Sequence, residues 1–221
     1  MTSPFSLTGG KQMAKVDPIT FAVVQNKLLS AANGMLDVAS SSGVSSFIGQ
    51  VRDCSFAILD EDAGIIAQSI GILLFLGSLG PGVKNCLDVI GKENIEPEDV
   101  IIATLPDITG SHTSDAILFT PIFYQDKIFG YAATKAHWQD LGAKNTYPVD
   151  ATNIYEEGLR IPPVKLFKKG VLQKEIIDII KWNSRAPDQV YAKGVEKIIG
   201  ISDKDFVKCL HEESQEKDGR D

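Results

Sequence analysis

The sequence predicts an α+β fold in which a mixed or antiparallel sheet with hairpins packs against helices. Two pairs of apolar segments, within residues 54–70 and 116–135, are each joined by a short polar turn, as β-hairpins are. Other segments carry apolar residues at helical spacing. These segments do not alternate regularly with the strands, so a βαβ fold is disfavoured.

The first helix is predicted to begin at Asp17, which suits the N-cap, with Pro18 in the first helical position. Residues 1–16 are polar and aperiodic and predict a flexible lead-in. The apolar stripe of the helix should lie against a sheet, and it comprises Phe21, Val24, Leu28, Ala31, Met35 and Val38.

The first hairpin pairs residues 54–59 with residues 65–70. The glycines and proline of residues 77–82 predict a turn before a helix over 83–90, and residues 99–104 are typical of a buried strand. Two further helices, over 172–182 and 189–199, are separated by Pro187. We therefore expect one domain over residues 17–200, followed by a C-terminal helix and charged tail over 201–221.

Charge, cysteines and hydropathy exclude several classes of protein. A net charge of −7 and a pI near 5.0 argue against a nucleic-acid partner, which requires a clustered basic surface. The three cysteines, Cys54, Cys86 and Cys209, fit neither a disulfide framework nor a cysteine zinc site, so a reducing, cytoplasmic location is expected. The longest apolar stretch, residues 70–79, is too short to cross a membrane.

The tetrad His-x-x-Asp occurs twice, at residues 112–115 and 137–140. The two tetrads flank the second hairpin, formed by residues 116–124 and 128–135. A turn centred on Asp126 places Asp115 opposite His137, and Phe123 opposite Phe129. Pro121 restricts its strand to an edge or a bulge.

Directly opposed side chains have Cβ atoms roughly 5 Å apart, and His112 lies in the loop just before the strand. Two imidazoles and one carboxylate at that distance are suited to an open metal site. The predicted metal ligands are therefore His112, Asp115 and His137. The alternative is that these histidines are hydrogen-bonded structural residues or are simply exposed.

Six segments together resemble a known family. They are Asp-Pro-Ile-Thr-Phe at 17–21, Arg-Asp-Cys-Ser-Phe at 52–56, Leu-Gly-Ser at 76–78, Gly-Ser-His at 110–112 with Asp115, Ala-His-Trp-Gln-Asp-Leu-Gly at 136–142, and Asp-Ala-Thr-Asn-Ile-Tyr-Glu-Glu-Gly-Leu-Arg-Ile-Pro-Pro-Val-Lys-Leu at 150–166. In this order they resemble the hydantoinase B and oxoprolinase family, which includes the large subunits of acetone and acetophenone carboxylases. The resemblance covers residues 17 to about 188.

The resemblance implies ATP-dependent chemistry on a small carbonyl or amide substrate. A hydantoinase A-like partner subunit would use ATP to phosphorylate the substrate, and this subunit would complete carboxylation or hydrolysis. It implies a divalent metal, manganese or zinc, on the three predicted ligands. The candidate catalytic carboxylates are Asp53, Asp140 and Glu157, with Asp140 also expected to orient His137.

Each assignment has a structural alternative. Asp53 is adjacent to Arg52 and would form an ion pair, while Glu157 would belong to a solvated helix start. Cys54 is expected in the core, and Arg160 would only anchor the Pro-Pro segment that follows it.

The chain departs from the family pattern at four positions. Phe75 stands where members usually carry a histidine, and Thr104-Leu105-Pro106 stands where they carry Asn-Asp-Pro. Ala143 replaces a glycine, and Trp138 stands where many amide-hydrolysing members have a second histidine, in which respect the chain resembles the ketone carboxylases. Family members are also longer, so we expect another chain to supply the missing C-terminal part. The favoured hypothesis is a ketone carboxylase subunit. The alternatives are a cyclic amide hydrolase subunit, a non-catalytic structural subunit or shortened paralogue, and a free-standing metallohydrolase.

Overall fold

A seven-stranded antiparallel sheet forms the centre of the fold, in the order β2-β1-β5-β4-β3-β6-β7. The computed structural model describes residues 17–41, 48, 51–138 and 140–187. The strands are β1 (Cys54–Asp60), β2 (Ile65–Gln68), β3 (Val100–Ala103), β4 (Asp115–Tyr124), β5 (Lys127–His137), β6 (Val164–Lys168) and β7 (Val171–Leu172). The helices are α1 (Pro18–Ser41), α2 (Leu73–Ile90), α3 (Pro106–Thr109) and α4 (Lys174–Trp182). The predicted α+β class is confirmed.

Helices cover both faces of the sheet. In β1, Phe56 and Ile58 pack with α1, whereas Ala57 and Leu59 pack with α2, so the alternation of the strand separates two apolar cores. A third apolar cluster joins α4 to β3, β4 and β6. This cluster lies on the α1 side of the sheet, because its member Ala116 is paired with Ala136 of the α1 cluster.

α1 begins where the sequence predicts, since Thr20 N donates a 3.0 Å hydrogen bond to Asp17 Oδ2. The predicted stripe is only partly correct. Phe21, near the start of the helix, is 60% exposed, and the buried face lies further along, at Leu28, Ala32, Met35, Leu36 and Ala39. The C-terminal half of α1 is therefore the part that packs on the sheet.

The turn predicted over residues 77–82 is wrong, because α2 runs through this segment. The glycines serve close packing. A Cβ on Gly82 would come within 2.4 Å of Ile117 Cδ1, and one on Gly80 would come within 2.8 Å of the Ala63 carbonyl oxygen. Among the described residues, α2 alone has the length and apolar composition of a membrane span, with a mean hydropathy of 1.3, and its buried side packs on the sheet as a core helix does.

The β4–β5 hairpin has the predicted register at its open end, where Asp115 pairs with His137. The predicted pairing of Phe123 with Phe129 is wrong, because a bulge after Ile122 puts Phe123 opposite Ile128. The turn itself has two residues, Gln125 and Asp126, with φ of 47° and 60°, as a type I′ hairpin turn requires. The turn is one residue shorter than predicted, and the bulge accommodates one extra residue. The two differences cancel, so the register at the open end is the predicted one.

The first hairpin, the strand near residue 100 and the helix ending at Trp182 are confirmed. β6 was not predicted, since its sequence Val-Lys-Leu-Phe-Lys follows two prolines. Pro121 lies on an interior strand but beyond residues 117–119, which pair with β3. The predicted lead-in over 1–16, the helix over 189–199 and the tail over 201–221 lie outside the described residues.

Candidate metal centre

Two chain segments meet at the open end of the β4–β5 hairpin. α3 is capped by Gly110, which has a left-handed backbone with φ of 76°. The turn that follows is closed by a 3.0 Å hydrogen bond from Asp115 N to His112 O. His137 is the last residue of β5, and its N–H donates to Asp53 O at 3.0 Å. The turn and the strand end thus hold His112, Asp115 and His137 together.

Asp115 lies between the two imidazoles. Its Oδ1 is 3.0 Å from His137 Nδ1, and its Oδ2 is 3.4 Å from His112 Nε2. The two rings are 5.2 Å apart between centroids. One ligand atom from each of the three residues lies within 4.8 Å of the others. The three side chains predicted as ligands are therefore brought into one cluster.

The chemistry of this cluster fits a divalent cation. Asp115 is fully buried, and its Oδ2 accepts no hydrogen bond from any described residue. A buried carboxylate oxygen normally has a hydrogen-bond or cation partner. When Nε2 of His137 carries the ring proton, the lone pair of Nδ1 faces Asp115 Oδ1 at 3.0 Å, so an ion between the two side chains would be bound by both. Two imidazoles and one carboxylate suit zinc or manganese.

A cavity of about 260 Å³ opens beside the cluster. His112 and His137 form one part of its wall, and residues 147–149 and Glu157 form the rest. The Tyr147 ring lies 5.3 Å from the His137 ring between centroids. Glu157 is held at the wall by Thr113 N, which donates to its Oε2 at 3.4 Å. A small molecule in this cavity would touch both imidazoles, a carboxylate and an apolar surface.

Sequence reasoning did not find residues 147–149, because Tyr-Pro-Val in a loop has no distinctive pattern. Tyr147 and Val149 are 52% and 85% exposed, so they are not part of a core. Asp150, directly after them, is tied to Lys144 by an Nζ–Oδ2 contact of 3.1 Å. This polar network, rather than apolar packing, shapes the loop that forms one wall of the cavity.

Asp53 is half-buried next to the cluster. Burial raises the pKa of its carboxyl group, the charges of His137 and His112 oppose this, and that of Asp115 adds to it. The pKa of Asp53 is therefore affected by the charges of all three predicted ligands.

The structure does not bring Asp140 into the cavity wall formed by the described residues. Its Oδ1 accepts from Arg185 Nη1 at 2.9 Å and from Gly142 N at 3.0 Å, and its Oδ2 accepts from Arg185 N at 2.6 Å. The Nδ1 of His137 lies against Asp115, and Asp140 accepts its hydrogen bonds named above from Arg185 and Gly142.

The positions that depart from the family pattern have structural roles here. Thr104 is buried, and its Oγ1 donates to Leu159 O at 2.8 Å and accepts from Ile161 N at 2.7 Å. Trp138 packs against the apolar cluster of α4, on the α1 side of the sheet. Its side chain is thus not part of the cavity wall.

Lys135 is a buried, basic side chain close to the cluster. Its side chain is fully buried on β5, two residues before His137, and Nζ lies 5.6 Å from the centroid of the Phe75 ring. Burial lowers the pKa of this lysine to about 8, against the opposing effect of the Asp115 charge. The signal in the sequence was a lysine at a core-facing position of an otherwise apolar strand.

The fold and this cluster define an α+β chain with a candidate cation site at the end of a hairpin. Residues 17–193 match the hydantoinase B/oxoprolinase family, and the chain belongs to that family. The resemblance seen in the sequence motifs is thereby confirmed.

The proteins similar in sequence to this chain include the following three. An uncharacterized protein of Methanocaldococcus jannaschii is 38% identical over 86% of this chain and 36% of its own length. The beta subunit of caprolactamase from Pseudomonas jessenii is 36% identical over 82% of this chain and 31% of its own. A putative D-/L-hydantoinase B subunit of Pseudomonas sp. is 30% identical over 80% of this chain and 31% of its own. The chain thus spans about a third of the length of these relatives.

Solved structures that share the fold include the following two. The ATP-dependent caprolactamase of Pseudomonas jessenii matches with a TM-score of 0.77 and 30% identity over 90% of this chain and 35% of that chain. A nucleotide-free acetone carboxylase matches with a TM-score of 0.72 over 84% of this chain and 26% of that chain, at 17% identity. The second likeness concerns the fold alone.

Proposed function

We propose that this chain is the metal-bearing part of an ATP-dependent amide hydrolase that acts with a hydantoinase A-like ATP-binding subunit. The observation that carries the proposal is the His112–Asp115–His137 cluster at the wall of a cavity that also contains Glu157. The similarity to the caprolactamase and hydantoinase subunits supports an amide as the substrate class.

In this proposal each residue has a defined task. The two histidines and Asp115 hold the cation, manganese or zinc, which when bound stabilises negative charge on a substrate oxygen. The pairing of β4 with β5 holds the His137 ring with Nδ1 facing the Asp115 carboxylate. Glu157 is anchored through Oε2 on Thr113 N, which leaves Oε1 to accept a hydrogen bond from a substrate N–H.

The two remaining carboxylates differ in their tasks. Asp53 adds negative charge next to the ligands and favours binding of the cation. Asp140 anchors the segment after β5 through Arg185 and Gly142, so we assign it a positioning role. The cavity of about 260 Å³ suits a small substrate, and residues 147–149 would contact its apolar part.

A ketone carboxylase subunit is the second candidate. Trp138 favours it, because a tryptophan at this position resembles the ketone carboxylases and not the amide-hydrolysing members of the family. Its side chain packs on the α4 cluster and not in the cavity, however, and the similar acetone carboxylase supports the fold only. We therefore place the amide hydrolase first, reversing the order suggested by the sequence.

This chain matches about a third of the length of its relatives. We expect the partner to include the rest of the family fold. Apolar side chains near β2 and the start of α2 would contact it, namely Ile65, Ile66, Ile70, Leu73 and Leu74, which are 40%, 41%, 89%, 85% and 59% exposed. Cys54 and Cys86 are free, buried thiols, which supports the reducing cytoplasm as the compartment.

The test uses the tagged chain purified with its native partners. Release of ADP is measured with caprolactam, hydantoin or 5-oxoproline, and separately with acetone and bicarbonate. We expect an amide-dependent reaction with a ring-opened product, lost in His112→Ala and His137→Ala but retained in the control His211→Ala, which alters the third histidine of the chain. Turnover of the ketone alone would establish the second candidate. Activity unaffected by loss of both cluster histidines would indicate a structural subunit.

A further inference from the structure

Lys135 is fully buried, and its ammonium group joins three elements of the fold. Nζ donates to Ser78 Oγ of α2 at 2.8 Å and to the carbonyl oxygen of Thr109, the last residue of α3, at 2.6 Å. Ser78 Oγ in turn donates to Leu74 O at 2.8 Å. A lysine buried in this way loses its hydration, so these acceptors and the Phe75 ring must replace water around the charge.

The bond to Thr109 acts directly on the segment that carries His112. Only Gly110 and Ser111 lie between Thr109 and His112, and Gly110 closes against Ser78, whose Cβ would be 3.2 Å from a Cβ at position 110. A second anchor is Asn85 Nδ2, which donates to Ile108 O at 3.0 Å. The lysine thus fixes the position of the end of α3 relative to β5.

His112 needs such an anchor more than its neighbours do. His137 and Asp115 are buried on paired strands, whereas the His112 side chain is 45% exposed on a loop. The same strand, β5, carries both His137 and Lys135. Because Lys135 reaches from that strand to the loop, it fixes the distance between the two imidazoles.

We propose that Lys135 is a positioning residue that sets His112 against His137 and Asp115 and so determines the affinity of the cluster for a divalent cation. This inference rests on the proposed function, in which the cluster holds a metal. Lys135 itself makes no contact with the ion. It acts through its hydrogen bond to the Thr109 carbonyl oxygen, which holds the segment that carries His112.

Manganese binding to the full chain tests this role, with free Mn²⁺ followed by electron paramagnetic resonance and unfolding followed separately by urea titration. In Lys135→Met we expect Mn²⁺ affinity to fall about 10- to 100-fold, as when a partner of a metal ligand is removed. The matched control is Lys165→Met, which removes a lysine that is 20% exposed and bound to Asp99 and Asn94, but on β6. It should lower stability and leave Mn²⁺ affinity within about 2-fold, because distant sites are energetically independent.

Ser78→Ala provides a second variant in case Lys135→Met does not fold. It removes one of the two acceptors and leaves the lysine in place, and it should weaken Mn²⁺ binding about 3- to 10-fold, less than the full effect of one hydrogen bond to a charged group, because the bond to Thr109 remains. Wild-type affinity in whichever of the two variants folds overturns the inference and leaves the proposed function intact. A wild-type chain that binds neither Mn²⁺ nor Zn²⁺ overturns both.

Discussion

The Nδ1 atom of His137 lies 3.0 Å from Oδ1 of Asp115, and the two residues are directly paired across β4 and β5. The backbone ladder therefore fixes the relative position of an imidazole and a carboxylate before any ligand is bound. Both side chains are buried, at 2% and 0% exposure, so water does not compete strongly for this contact. An ion that binds here meets a prearranged pair.

Asp115→Asn should weaken Mn²⁺ or Zn²⁺ binding about 10- to 100-fold, because the amide keeps the shape of the side chain but loses its charge. Isothermal titration calorimetry on the purified chain measures the effect. The matched control is Asp140→Asn, since Asp140 binds Arg185 and Gly142 instead. This control should lower stability and leave metal affinity nearly unchanged. Equal losses of affinity in both variants would contradict the assignment of Asp115 as a ligand.

The sequence identified the pairing of Asp115 with His137 although it described the turn incorrectly. It predicted a turn centred on Asp126, whereas the chain makes a two-residue turn and a bulge near Phe123. The two differences cancel at the open end of the hairpin. Hydrophobic alternation constrains the register of the long strands, but it carries little information on where an extra residue is accommodated.

Features that depend on tertiary contacts were not predictable in the same way. The glycines of α2 were interpreted as a turn because glycine is a poor helix former, but packing against Ile117 and Ala63 requires them. The cavity wall at Tyr147 and the partner of Asp140, Arg185, come from segments distant from the tetrads. No local pattern in the sequence connects them to the site.

Gly130→Ala should destabilise the fold by about 1–3 kcal/mol or more, the typical cost of inserting a methyl group into a packed site. A Cβ at this position would lie 2.1 Å from Leu59 O, and the atom in the way belongs to the backbone of a neighbouring strand. Urea denaturation measures the change. The control is Gly34→Ala within α1, where a Cβ meets nothing within 4 Å and should stabilise the helix by about 1 kcal/mol. A stable Gly130→Ala variant would rule out this close strand contact.

The two described cysteines should be inert in the folded chain. Burial raises the pKa of Cys54 to about 11, an effect reinforced by Asp53, and raises the pKa of Cys86 to about 12, so the reactive thiolate is scarce at neutral pH. In a Cys209→Ser variant, reaction with Ellman's reagent should be negligible under native conditions. Two equivalents should react in guanidinium chloride. Rapid reaction in the native state would show that one of these thiols is accessible.

The loop that forms the cavity wall should keep its shape in acid, down to a pH well below the ordinary pKa of a glutamate. Glu156 accepts hydrogen bonds from Thr152 N at 2.9 Å and from Lys144 Nζ at 3.0 Å, and these lower the pKa of its carboxyl group from 4.5 to about 2. Because the pKa in the folded state is depressed, the stabilisation is present above pH 4.5 and is lost as pH falls towards 2. The pKa of Lys144 is raised from 10.5, mainly by its hydrogen bond to Glu156. Its contribution is therefore complete below pH 10.5 and lost at higher pH.

Hydrogen exchange of the Thr152 amide, followed by nuclear magnetic resonance, reports directly on this network. Protection relative to the intrinsic exchange rate should persist at pH 4 and decline only towards about pH 2, where the carboxylate takes up its proton. Glu156→Gln is the control. It keeps an acceptor oxygen but no charge, so its protection should be weaker and independent of pH across that window. If wild-type protection were already lost between pH 5 and 4, the carboxylate would be titrating as a solvated glutamate. The contacts of Glu156 with Thr152 and Lys144 could not then be what holds the loop.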